Sequence, residues 1–345
     1  MYPATLMMCK LLWFLLFASY YHTKFQGLPH LPLLPILDIL RPVEGLYNST
    51  LKTAYWLGGF ALLFNLRVRL AAFMLGVIVL LIILSDRTHY RNHTFICGCA
   101  FILAACHKKD ERPWLLIIQL TVVYIAAGLN KLWEVDWRSG QFMAHWLRGN
   151  SWFNWFAEYF GKLGFGQFLA YLTITFEVGM GLLFLSKRWL PVAVWCAVGF
   201  HIGLYVLLGG QTFGHFLQSA LVVMIATVSW NSEPLTLRLP KPPNKLLLLF
   251  KRVLDPNSQF EISVHNSFGF TQNELGKFDG IGALRSATLR SPWFYWWGLL
   301  SMIVLHRYIQ HPPGYYITSF LMISLFALSF PYETLQKNIR GTQVS

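Results

Sequence analysis

Charge is what this chain has least of. Only 12% of its 345 residues are Asp, Glu, Lys or Arg, against about a quarter in an ordinary soluble domain. A chain so poor in charge cannot clothe a water-facing surface, which excludes a conventional soluble globular protein. Acidic residues are the scarcer sign: 15 Asp and Glu stand against 28 Lys and Arg, for a net charge of +13. The basic residues sit mostly in short connections between apolar runs, not on one soluble face. That distribution sets membrane topology and gives no footing for nucleic acid. Cysteine is sparse as well. Cys9, Cys97, Cys99, Cys106 and Cys196 all lie in apolar runs, and the "CGC" pair lacks the ligand spacing of a zinc site, so no metal is expected. No internal repeat is evident, which withholds support from an inverted-repeat transporter.

What is present in quantity is apolar and aromatic. Hydrophobic residues make up 55% of the chain and aromatics 17%, with 14 Trp and 15 Tyr, rings that gather at membrane–water boundaries. Apolar runs have cores near residues 11–20, 51–65, 70–84, 94–106, 114–129, 168–185, 191–208, 213–230, 293–305 and 316–330. A bilayer crossing takes roughly 20 helical residues. The expected fold is an all-α polytopic membrane protein of about 8–10 transmembrane helices, with a small soluble insertion between the eighth and ninth. The expected organisation is a transmembrane domain over residues 1–230 (core 50–230), a basic soluble insertion over 231–290, and a C-terminal transmembrane pair and tail over 291–345.

Alternate connections are basic: Arg67 and Arg69; Lys108, Lys109 and Arg112; Lys187 and Arg188; then Lys241, Lys245, Lys251 and Arg252. Basic connections stay cytoplasmic. Both termini are therefore expected in the cytoplasm, and the connection carrying Lys131 on the lumenal or extracytoplasmic side. Residues 21–48, with Pro29, Pro32, Pro35 and Pro42, read as an irregular loop or short interfacial helices. In the insertion, "FEISVHNSFGFT" alternates and suggests one or two strands.

Against this apolar background a few polar groups stand out, and such groups are often functional. Asn92 and His93 open the fourth run and His107 closes it; on a straight helix the two histidines are about 40° apart in azimuth and about 21 Å apart along the axis. Lys131 closes the fifth run. Glu177 lies in the sixth, His201 in the seventh and His215 near the start of the eighth. Lys131 reads either as a snorkelling interface lysine or, held away from water, as a general base. A buried Glu177 must be protonated or paired with a cation or histidine, and His201 is a candidate partner, with Gly199 and Gly203 beside it to permit close helix approach.

The segments "RNHTFICGCAFILAACH", "VVYIAAGLNKLWEVDWRSGQFM", "FEVGMGLLF" and "GFHIGLYVLL" together resemble the vitamin K-dependent γ-glutamyl carboxylase family and its wider horizontally transferred transmembrane (HTTM) group, over roughly residues 50–230. The resemblance implies Lys131 as the base that deprotonates a reduced vitamin K naphthohydroquinone. It implies O2 and CO2 as co-substrates, an epoxide product, and γ-carboxylation of a glutamate-containing peptide. His107, His201 and the Asn92–His93 pair fall on family positions, while Asn130 replaces the family's first lysine. The expected function is thus quinol epoxidation, alone or coupled to carboxylation, with a lipid-soluble quinone, membrane lipids and a peptide or partner subunit as partners. Two other classes stay open: a transporter or lipid- or quinone-binding protein using Glu177 and His201, and a non-catalytic peptide-maturation subunit.

Overall fold

The computed structural model describes residues 1, 3–18, 34–107, 112–150, 163–207, 220, 222–224, 226–228, 235–239, 241–254, 260–264, 269–272, 276–278, 320 and 324. It is mostly helical. Runs of Leu, Ile, Val, Phe and Ala with few breakers fold into helices because, in apolar surroundings, only an internally hydrogen-bonded backbone is tolerable. In chain order these are α1 (Pro3–Ala18), α2 (Glu44–Leu63), α3 (Val68–Ser85), α4 (Asn92–Cys106), α5 (Trp114–Trp133), α6 (Val135–Arg138), α7 (Gln141–Asn150), α8 (Leu163–Leu185), α9 (Leu190–Leu207) and α10 (Lys245–Leu254). A 3-10 helix over Pro35–Val43 leads into α2, in the proline-rich stretch read as loop or short helices.

Among the described residues, three helices are long and apolar enough to cross a membrane: Val68–Ser85, Trp114–Trp133 and Gly164–Leu185, with mean hydropathy of 2.7, 1.7 and 1.8. Ala4–Phe17, Asn92–Cys106 and Leu190–Gly203 are apolar but shorter. The eighth apolar run is described only in part, helical at residues 220, 222–224 and 226–227. The ninth, His215 and all but two residues of the tenth lie outside the described residues.

The chain divides into two compact units, Met1–Leu116 with Gln218–Leu300, and Ile117–Leu217 with Ser301–Ser345. In the first, α1 packs on α2 and α4, and α3 packs on α2 and α4. Met7, Met8, Leu11, Leu12, Tyr55 and Phe101 are fully buried there. Trp13 of α1 anchors the contact with α2: its ring lies 6.3 Å from Tyr55, 6.0 Å from Trp56 and 6.1 Å from Phe60. In the second unit, α6 and α7 fold back onto α8 around Trp137, Met143 and Ala170, and α9 packs on α8.

The first unit also contains a four-stranded sheet of order β2-β1-β3-β4, where β1 is Leu235–Leu239, β2 Phe260–Val264, β3 Gly269–Gln272 and β4 Gly276–Phe278. β1 and β2 are parallel with Leu235 opposite Phe260, so the chain must cross back between them, and α10 lies in that crossover. β3 and β4 close the sheet antiparallel. The stretch "FEISVHNSFGFT", expected to hold one or two strands, contains β2 and most of β3. β1 and β4 were not anticipated, because "LTLRLP" carries an arginine and abuts a proline, and "GKF" is too short to alternate.

Trp13 is 4% exposed, and its removal empties the α1–α2 contact. Trp13→Ala is expected to cost about 3–5 kcal/mol and to lower the midpoint of thermal unfolding in detergent. Trp13→Phe, which keeps a ring, is expected to recover part of that loss. An unchanged midpoint for the alanine variant contradicts the packing.

Candidate functional site

Lys131 and Glu177 form an ion pair between α5 and α8. The lysine Nζ donates to both carboxylate oxygens, at 2.6 Å to Oε2 and 2.8 Å to Oε1. The side chains are 20% and 12% exposed. The Lys131 ammonium also lies 5.1 Å from the ring centre of Trp137, itself stacked on Phe142. The nitrogen is therefore not a lone amine. It is held between a carboxylate and an aromatic face, in a setting where either charge alone is costly.

Two glycines make this reach possible. α5 and α8 run antiparallel, with Gly128 against Val178 and Ile174, and Gly181 against Ile125 and Thr121. A Cβ on Gly128 comes within 2.7 Å of Val178 Cγ2, and one on Gly181 within 2.6 Å of Ile125 Cγ1, closer than packed atoms tolerate. Hydrogen at both positions brings the backbones together. Gly203, expected to serve this purpose beside His201, has nothing within 4 Å of such a Cβ among the described residues.

Tyr124 lies two turns before Lys131 on the same face of α5. Its hydroxyl is hydrogen-bonded to His201 Nε2 of α9 at 2.5 Å, and its ring meets Phe184 of α8 edge-on at 5.2 Å. Phe176 of α8 stacks on Phe200 of α9 at 4.4 Å, fixing the helix that carries His201. The two polar pairs interact electrostatically: the Glu177 carboxylate acts on Tyr124, and the Lys131 ammonium on His201. In this unit the buried His201 Nδ1 and Thr121 Oγ1 have no hydrogen-bond partner among the described residues. Buried polar atoms are nearly always satisfied by protein, water or ligand.

The structure brings together Lys131, Glu177 and His201 in the second unit and adds Tyr124 to them. Glu177 takes Lys131 as its partner, and His201 takes Tyr124. Asn92, His93 and His107 belong to the first unit. Asn92 is exposed at the start of α4, His93 is half-buried, and His107 is buried just past the helix end with its backbone N–H on the Ala104 carbonyl.

Residues 115–210 match the DoxX family model. DoxX is a membrane-associated family, and the match takes in α5 through α9 and all four polar residues. No solved structure matches the chain. The DoxX match, with the long apolar helices, marks the chain as a membrane protein. It also overturns the resemblance to the vitamin K-dependent carboxylase and HTTM families: the stretch that carried the most specific part of that resemblance, from "VVYIAAGLNKL" to "GFHIGLYVLL", fits DoxX. Glycine-punctuated apolar helices ending in a lysine arise wherever helices pack closely in lipid, so those motifs were not specific.

The ion pair sets two expectations. Lys131→Ala or Glu177→Ala each strands a charge and is expected to destabilise the protein by about 3 kcal/mol, whereas Lys131→Met with Glu177→Leu is expected to recover most of that loss. Thermal unfolding of the three variants in detergent reads this, and equal loss in the double variant removes the pairing. Gly181→Val is expected to force α5 from α8, costing about 1–3 kcal/mol, and to make Lys131→Ala nearly silent in that background.

Proposed function

We propose that α5, α8 and α9 form a membrane-embedded proton-exchange site that serves the oxidation of a lipid-soluble hydroquinone. The observation that carries this reading is the Tyr124–His201 hydrogen bond set beside the bidentate Lys131–Glu177 pair. Ionisable groups inside membrane helices are costly and typically mark proton or substrate pathways. A hydroquinone suits such a place because its ring is apolar and its hydroxyls release protons. His201, anchored at Nε2 by Tyr124, keeps Nδ1 for exchange with a ring hydroxyl. The positive end of the Lys131–Glu177 pair favours the quinolate anion that results.

Once deprotonated, the ring reduces O2, giving up two electrons in the first outcome below and four in the second. Either the quinone and hydrogen peroxide form, or one oxygen atom enters the ring as an epoxide and the other leaves as water; both balance. In this reading Lys131 acts by its charge, and His201 holds the proton. Peptide carboxylation rested on the overturned resemblance and is not carried further.

Topology follows from the basic connections. We place about ten spans, both termini in the cytoplasm, the end of α5 on the extracytoplasmic side, and residues 231–290 as a cytoplasmic insertion.

A second reading, proton-linked transport, draws on the same intramembrane charges, with Glu177 and His201 on adjacent helices. The two differ in what they consume. In proteoliposomes given a reduced naphthoquinone and air, the wild type is expected to take up O2, with Tyr124→Phe and His201→Gln each slower by about tenfold or more. Turnover equal to that of empty vesicles, together with a proton flux that His201→Gln abolishes, replaces oxidation by transport.

A further inference from the structure

α10 is a short helix that leaves large leucines exposed. Its sequence, "KLLLLFKRVL", follows "LPKPPN", where Asn244 caps it: the side-chain oxygen accepts the Leu247 N–H at 2.8 Å. By helical register, Leu249, Val253, Leu246, Phe250, Leu254 and Leu247 occupy one continuous arc. Asn244, Lys245, Lys251 and Arg252 fall on the opposite arc, with Leu248 among them. Buried leucines would mark this as a core helix, but on the apolar arc Leu246 is 60% exposed and Leu249 48%. A leucine left in water forfeits roughly 1.5–3 kcal/mol relative to burial, so a stretch like this is normally covered.

We propose that α10 lies flat in the headgroup layer of an anionic bilayer. Two features on the page select a lipid surface over a protein groove. The cationic rim, Lys241, Lys245, Lys251 and Arg252, is the arrangement that anionic headgroups attract, at about 1 kcal/mol per basic residue near the surface. The bilayer is also already at hand, since the chain carries membrane-crossing helices. A short basic helix with leucines on one arc and lysines on the other is the form that beds in such an interface. β1 and β2, which pair in parallel, precede and follow α10 in the chain.

The test is hydrogen exchange of the full chain in nanodiscs, read at the α10 amides. In nanodiscs containing phosphatidylglycerol those amides are expected to exchange at least tenfold more slowly than in phosphatidylcholine alone, and the difference is expected to vanish in high salt. This comparison uses the wild type, so it does not depend on any variant folding. Reversing Lys245, Lys251 and Arg252 to Glu is expected to abolish the difference while β1 and β2 amides keep their protection. Equal exchange in the two lipids overturns the proposal, as does equal strong protection in uncharged detergent, which assigns the cover to protein.

Discussion

The second unit depends on an ion pair that its surroundings make expensive. Lys131 and Glu177 leave water together, and neither could do so alone without a large desolvation cost. Their attraction is strong in apolar surroundings but short in reach, so it works only if α5 and α8 approach closely. Gly128 and Gly181, one on each helix, allow that approach. With these helices fixed, Tyr124 comes to His201, and the Phe176–Phe200 stack holds α9 in place. Remove the pair and the reason for the remaining polar contacts goes with it.

Much of this was legible in the sequence in outline, and less of it in detail. Scarce charge and long apolar runs announced a membrane protein. The same scarcity made Lys131, Glu177 and His201 conspicuous. Their partners were not legible, because a pairing between helices far apart in sequence depends on how the helices cross. Tyr124 was within reach: its spacing from Lys131 puts both on one helical face, a signal hidden by the abundance of tyrosine in this chain. Gly203 beside His201 drew attention, whereas the close contact between α5 and α8 is made by Gly128 and Gly181. In the basic insertion, alternation revealed β2 and β3, but β1 gains its character only by lying between partners.

The match to DoxX falls almost wholly within one of the two compact units. The matched stretch, residues 115–210, covers most of the Ile117–Leu217 segment of the second unit and none of its Ser301–Ser345 segment. Tyr124, Lys131, Glu177 and His201 all fall inside it, so the part of the chain with a recognisable relationship is also the part with the concentrated polar chemistry. His93 and His107 lie outside both boundaries.

The order of strands in the sheet has a consequence for synthesis. β1 is the first strand to leave the ribosome, yet it is an inner strand whose neighbours, β2 and β3, arrive only between Phe260 and Gln272. Until then its backbone groups have no ladder, and the arginine and proline near it keep it from pairing with strangers. The element made earliest is thus finished late, and any cut in the chain before Gln272 leaves the sheet without its centre.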